Sequence, residues 1–272
     1  MLKLRGGKIM TLFNRNLAPI DEQTWEFLNE EAQEYLPLQL TGRKLVDVTG
    51  PKGSETAALN TGRIEKIESS NDISLTRRLV QPLIEMRVPF TLSLSELENY
   101  SRGAEDVNVD SLQEAADKMA AIEDGAIISG LEEAGIKGIK EEAEHSLQLS
   151  DKPEAMLSVI IEGINTLFNA GVGGPFALVL DNDLFKKLYN LPDSGYPLTK
   201  RLEDINIKKV HTSPGLDKGG LLLSIRGGDF ELALGEDLAI GFKGQKGDDL
   251  EFFFAESFTS RVISPEAAVA LN

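Results

Sequence analysis

Residues Asp110 to Gly135, DSLQEAADKMAAIEDGAIISGLEEAG, hold their apolar side chains in helical register longer than any other stretch of the chain. Leu112, Ala115, Ala116, Met119, Ala126, Ile127, Leu131 and Ala134 share one stripe, while Glu114, Asp117, Lys118, Asp124 and Glu132 fall largely opposite. The spacing predicts a helix over 111–134, opened by a capping box of Ser111 and Glu114 and closed by Gly135. Such a helix would run roughly 36 Å, the width of a small domain. A single apolar stripe of small residues predicts a spine on which a sheet lies closely.

Working outward, 272 residues with 41% apolar and 26% charged content can bury a substantial core in one large domain or two moderate ones. There is no run of about eighteen apolar residues to cross a membrane. The opening MLKLRGGKIMTLFNRNLAPI has no continuous apolar region of a secretory signal, so the expected compartment is the cytoplasm. The absence of cysteine excludes disulfides, thiolate metal sites and cysteine nucleophiles. A formal charge of −16 argues against a general nucleic-acid partner. The pairs Arg77-Arg78, Lys186-Lys187 and Lys208-Lys209 read as solvated faces. Residues 1–11 read as a disordered extension, with Met10 an alternative start.

Upstream of the spine, Trp25, Leu28, Ala32, Tyr35 and Leu36 predict an amphipathic helix over 24–36 that Pro37 ends. Trp25 reads as its packing anchor. Leu40 to Val48 gives a short strand signal. Residues 50–75 are polar and turn-rich and suggest two short strands with too little apolar surface to stand alone. Pro82 and Pro89 place the strand signals of 79–94 at a sheet edge, and a brief helix from Ser95 runs out at Gly103. Downstream, residues 135–139 read as a loop. Ser150 to Pro153 starts a helix carrying Met156, Val159, Ile160, Ile164 and Leu167. Phe176–Leu180 reads as a strand buried on both faces, followed by a helix from Leu184 to Tyr189 and a long turn over 190–199. Strands are expected around Lys209-Val210 and over 221–225, 230–234, 238–242 and 250–263, with a closing helix over 265–271.

Motifs that carry chemistry are scarce. Glu142 and His145 match one Glu-x-x-His pair of a di-iron bundle, but His211, the other histidine, has no glutamate three residues before it. No Gly-x-Ser-x-Gly elbow and no Gly-x-x-x-x-Gly-Lys-Ser/Thr loop is present. Gly171 to Pro175 precedes a strand, the wrong order for a phosphate cradle. Asp181 and Asp183 read as helix caps, and Asp248-Asp249 as hairpin chemistry. Composition and spacing thus support a soluble mixed α/β protein with no visible active site and no metal or cofactor of its own.

Longer strings add a resemblance. Asn16-Leu17-Ala18-Pro19-Ile20, Gly42-Arg43-Lys44-Leu45-Val46-Asp47 with Gly50-Pro51, and Pro82 to Leu92 (PLIEMRVPFTL) resemble the encapsulin (linocin-type) shell proteins. Glu123-Asp124, Gly174-Pro175-Phe176, Tyr196-Pro197-Leu198, Arg226 to Phe230 and Ser264 to Ala267 agree, so the likeness runs over about residues 12–271 in one order. The resemblance implies an α+β fold like that of tailed-phage major capsid proteins. It places an N-terminal arm and helix at 12–49, an extended loop at 50–75, a peripheral domain at 76–137 and 223–272, and an axial domain at 138–222. It also implies a closed icosahedral homo-oligomer of at least about 60 copies that encloses a cargo enzyme, ferritin-like with a role in iron storage or peroxidase-type.

By the same resemblance, the cargo's short C-terminal peptide is gripped by Tyr35, Leu36, Leu40, Arg43 and Asp47 with Asp237, Leu238, Ile240 and Phe242. Apolar pockets would hold alternate side chains, and Arg43 with Asp47 or Asp237 would fix the polar groups. Asp193, Ser194, Gly195 and Tyr196 would line a fivefold pore. A flavin site proposed for some relatives uses a tryptophan where this chain has Ser95; Arg87 alone matches, and no flavin is expected. The competing readings are a prophage capsid subunit holding DNA and, further off, a bacteriocin-like hydrolase.

Overall fold

A computed structural model of the chain describes residues 13–67, 73–150, 152–190 and 197–272. In chain order its helices are α1 (Glu22–Gln39), α2 (Leu94–Ser101), α3 (Asp110–Ile128), α4 (Ile139–Glu142), α5 (Pro153–Asn169), α6 (Asn182–Tyr189) and α7 (Leu198–Asp204). The strands are β1 (Asp47–Thr49), β2 (Ala58–Ile67), β3 (Leu75–Pro82), β4 (Ile84–Ser93), β5 (Gly130–Leu131), β6 (Ile136–Lys137), β7 (His145–Leu147), β8 (Phe176–Leu180), β9 (Ile207–Thr212), β10 (Gly220–Ser224), β11 (Phe230–Leu234), β12 (Ala239–Lys246), β13 (Asp249–Val262) and β14 (Ala268–Leu271). The predicted extension at 1–11 lies outside the described residues.

The spine is shorter than its periodicity predicts. The nineteen residues of α3 span about 28 Å. Ser129 donates its backbone N–H to the Gly125 carbonyl, and Gly130, at φ +94°, turns the chain into the small β5–β6 ladder. Leu131 and Ala134 still pack on the core, but from a strand and a 3-10 turn, which is why the apolar period outlasts the helix. No capping box forms at the other end. Val109 is the N-cap, and the Ser111 hydroxyl donates instead to the Thr91 carbonyl at 2.6 Å.

Two five-stranded sheets flank this helix. The first runs β1-β11-β13-β12, with β4 on the other side of β13 at the edge that Pro89 predicts. Phe252, Phe254 and Phe258 alternate inward along β13 and are fully buried. Trp25 of α1 meets Phe252 edge-on with ring centres 5.5 Å apart, and Phe90 of β4 stacks on it at 5.5 Å. The second sheet runs β7-β14-β10-β8-β9. The buried strand β8 lies at its heart as expected, between antiparallel β10 and parallel β9. One apolar cluster runs through both sheets and the helices between them. At Gly215 the chain passes so close to α3 that a Cβ would stand 2.4 Å from the Asp124 and Gly125 backbone.

The closing helix predicted over 265–271 is instead a 3-10 turn at Pro265–Ala267 followed by β14, which inserts between β7 and β10. All four of its residues are buried, and without a polar face this segment is a central strand despite its alanines. The chain end therefore lies in the second sheet, apart from β11 to β13. Pro37 does not end α1, which continues to Gln39; the missing N–H costs one ladder bond near the terminus. The 40–48 strand signal resolves into a 3-10 turn at Gly42–Lys44 and the three residues of β1. The loop expected at 135–139 holds β6 and the start of α4.

Asp181 behaves as the cap its position suggests. Its carboxylate accepts from the N–H groups of Asp183 and Leu184 at 2.9 and 2.8 Å and from Gly219 at 2.8 Å, tying α6 to the start of β10. Asp181→Ala removes all three acceptor contacts and is expected to cost about 1–2 kcal/mol in denaturant unfolding; a loss below a few tenths would mean that water replaces the cap.

Candidate functional site

Nine residues were singled out for cargo contact, and the structure divides them. Leu36, Leu40, Leu238, Ile240 and Phe242 all lie in the main apolar core. They pack α1 and the segment around β12 against the rest of the subunit. Apolar spacing marks them as inward without saying what covers them. Tyr35, Arg43, Asp47 and Asp237 retain solvent contact. Tyr35 donates its hydroxyl to Asp117 of α3 at 2.9 Å, and Asp47 accepts from the Gly228 backbone N–H. Asp47 is thus anchored elsewhere, and only Asp237 of the two expected partners reaches Arg43.

Arg43 is the centre of a buried charged cluster. Its side chain, 11% exposed, donates from Nε and Nη2 to Glu123 at 2.7–3.0 Å, from Nη1 to Asp237 at 2.9 Å and from Nη2 to Glu256. One guanidinium thereby joins the turn after α1, the spine helix, the β11–β12 connection and β13. Burial opposes its charge, and the fields of Glu256, Glu123 and Asp237 outweigh that. Asp124, expected on the polar side of the spine, is buried. It accepts from the backbone of Thr41 at 3.2 Å and Gly42 at 2.7 Å and from the Ser213 hydroxyl at 2.7 Å. Desolvation pushes its carboxyl up to about 6 against those hydrogen bonds.

Glu123 and Glu256 went unassigned in the sequence, although a signal was there. Glu123 follows Met119 by four residues on the apolar stripe of α3, and Glu256 continues the inward alternation of Phe252 and Phe254. An acid at an inward position calls for a buried partner.

The second feature is a hairpin. β2 and β3 pair antiparallel from Ala58↔Pro82 to Ile67↔Leu75, beyond the residue 75 at which the sequence reading closes the excursion. Ile64, Leu75, Leu79 and Val80 stand exposed on it, Ile64 at 65%. Arg77 pairs with Glu65 on its solvated surface. Beside its base a cleft of about 400 Å³ is lined by Arg63, Gln81, Lys137 and Arg261 among others.

Glu142 ends α4 while His145 opens β7, so they do not share a helix face, and Glu142 pairs with Lys137 at 2.7 Å. Among the described residues no group of three or more potential ligands could hold a metal ion, and no helix is long and apolar enough to cross a membrane. Arg87 pairs with Glu85 and lies over the Phe253 ring, and the Ser95 hydroxyl bonds Asp248. The pore residues Asp193, Ser194, Gly195 and Tyr196 fall outside the described residues.

Residues 10–259 match the Linocin_M18 family, described as "encapsulating protein for peroxidase". The type 1 encapsulin shell protein of Mycobacterium tuberculosis is 35% identical over 260 residues, which is 95% of this chain and 98% of that one. Among solved structures, a virus-like particle from Pyrococcus furiosus superposes with a TM-score of 0.67 at 18% identity, covering 93% of this chain and all of the other. The capsid of Myoviridae phage XM1 gives 0.55 at 13% identity, over 85% of this chain and 91% of that one. The fold is therefore the α+β fold of tailed-phage capsid proteins.

Proposed function

The chain belongs to the Linocin_M18 family of encapsulating shell proteins, and from that premise we propose that its shell encloses a cargo enzyme held on the inner wall by a short C-terminal peptide. The relatives are named for a shell and not for a reaction, and this chain is a non-enzymatic shell subunit of a multi-copy assembly. A peroxidase is the favoured cargo class, since the family description names one; a ferritin-like iron-storing enzyme is the second. We place the closed compartment in the cytoplasm, at about 60 copies or more.

The observation that carries assembly is the β2–β3 hairpin, whose exposed apolar residues lack a core of their own. It serves as the extended loop and packs on a neighbouring subunit. The first sheet with α3 forms the peripheral domain, and the second sheet, β14 included, forms the axial domain. Asp193, Ser194, Gly195 and Tyr196, which lie outside the described residues, are proposed from the sequence alone as the edge of a pore, with the acid and the small residues suited to cations. Cargo contact falls to the members of the predicted set that keep solvent contact, Tyr35, Arg43, Asp47 and Asp237, with exposed apolar residues Leu38 of α1 and Ile122 of α3. We expect no flavin, since Ser95 stands where the site proposed for some relatives uses a tryptophan.

The test is to co-express the chain with a fluorescent protein carrying the C-terminal tail of a peroxidase or ferritin-like protein from the same genome. Fluorescence should co-elute with hollow particles of megadalton mass only when the tail is present. Equal capture of the tailless protein would overturn the peptide route, and particles filled with nucleic acid would favour a capsid that holds DNA.

A further inference from the structure

Three carboxylates surround Arg43, and two of them, Glu123 and Glu256, are closed off from solvent. With all three ionised, the cluster would carry two uncompensated negative charges in the interior, an arrangement that proteins avoid by taking up a proton. One atom shows where the cluster lacks a donor. Oε1 of Glu256 accepts from Arg43, but Oε2, equally buried, has no donor within reach. An ionised oxygen left thus is costly; a protonated one becomes a donor. Arg43 Nη2 donates to both acids, to Glu123 at 2.7 Å, which brings the two carboxyls together on one nitrogen.

We infer that Glu123 and Glu256 share one proton, and that with Arg43 and Asp237 they form a proton-dependent latch closing the turn after α1 onto the spine helix and β13. The inference stands apart from the cargo reading, since it concerns the subunit's own integrity.

The groups facing Glu256 are few. The spine helix presents Glu123, with Asp124 beside it; the turn after α1 presents Arg43; the β11–β12 connection presents Asp237; and β4 places uncharged Met86 opposite in register. Burial first, then the negative field of Glu123, hold the Glu256 carboxyl well above the usual carboxylate range, and Arg43 only partly offsets them. A carboxyl whose proton affinity rises on folding stabilises the native state at low pH. That stabilisation is lost as pH climbs through the raised folded value. The latch therefore loosens on the alkaline side. Asp124, pushed up to about 6 by desolvation, gives up most of its own contribution by that pH, at the lower end of the range followed below.

The proton belongs to the pair and not to one residue, which shapes the test. Glu256→Gln keeps the shape and donor of the protonated acid and cannot ionise; Glu123→Gln does so from the other side. Melting of the intact protein is followed from about pH 6 to about pH 10 beside the infrared carbonyl stretch of protonated carboxyl groups. The wild type should show that stretch at neutral pH and lose it, together with melting temperature, as pH rises. E256Q should lack the buried band and fall by less than half as much. A wild type without the band, or one whose band and slope are unchanged in E256Q, overturns the inference. Should either variant fail to fold, the wild-type infrared titration decides alone, because an ionised pair has no such band at any pH in this range.

Discussion

Arg43→Ala is expected to leave the chain without a stable fold at neutral pH. Among the described residues the guanidinium is the cation that pairs with Glu123, Asp237 and Glu256, and removing one member of a buried ion cluster typically costs about 3–5 kcal/mol because the opposite charges stay behind unpaired. A domain of ordinary stability has about 5–15 kcal/mol in all. The variant should therefore accumulate in the insoluble fraction or unfold at much lower denaturant than the parent. Arg43→Lys retains the charge but not the planar fork that serves three carboxylates at once, and should lie between the two. Arg43→Ala combined with Glu256→Gln gives Glu123 a fixed amide donor in place of the lost guanidinium and should recover part of the loss. Denaturant titrations of the four proteins measure these differences directly. An Arg43→Ala variant within about 1 kcal/mol of the parent would mean that water, not the cluster, solvates these acids.

That result would also separate two readings of one residue. The sequence marks Arg43 through a resemblance and assigns it to a peptide's polar groups; the structure places it within 3.0 Å of residues 80 and 194 positions away. Pairings over such separations leave no periodic trace in a sequence. What is local was legible: the turn-rich excursion that became β2–β3, the double-sided burial of β8, the span of β11, the cap at Asp181 and the edge position of β4. What depends on a neighbour was not. The segment AAVAL at 267–271 reads as helix by alanine propensity, and only the open slot between β7 and β10 makes it a strand. Leu36, Leu40, Leu238, Ile240 and Phe242 announce an apolar position, but a pocket wall and a sealed core use the same side chains. The charged cluster shows the converse, since Glu123 and Glu256 break two apolar patterns and so betray a buried site without disclosing its partner.

Ile64→Asp together with Val80→Asp should abolish the shell while sparing the subunit. Both side chains stand largely in water within the single chain, at 65% and 52% exposure, and neither joins the main core. Polar substitution at such positions ordinarily changes folding stability by no more than about 0.5 kcal/mol. The hairpin is nonetheless costly to leave bare. A two-stranded ribbon is marginal in water, and this one also exposes Leu75 and Leu79. Its apolar faces gain only by burial against another surface, and a shell of identical subunits supplies one at every contact. Two carboxylates introduced there would have to be buried unpaired in every copy, a penalty multiplied around the closed particle. The double variant should thus keep the parent's far-ultraviolet circular dichroism and elute as a monomer or small oligomer where the parent elutes at megadalton mass. Intact particles from the variant would locate the assembly contacts elsewhere on the subunit and leave the hairpin solvated. An unfolded variant would instead reveal that the hairpin supports its own core, against the exposure of its apolar residues.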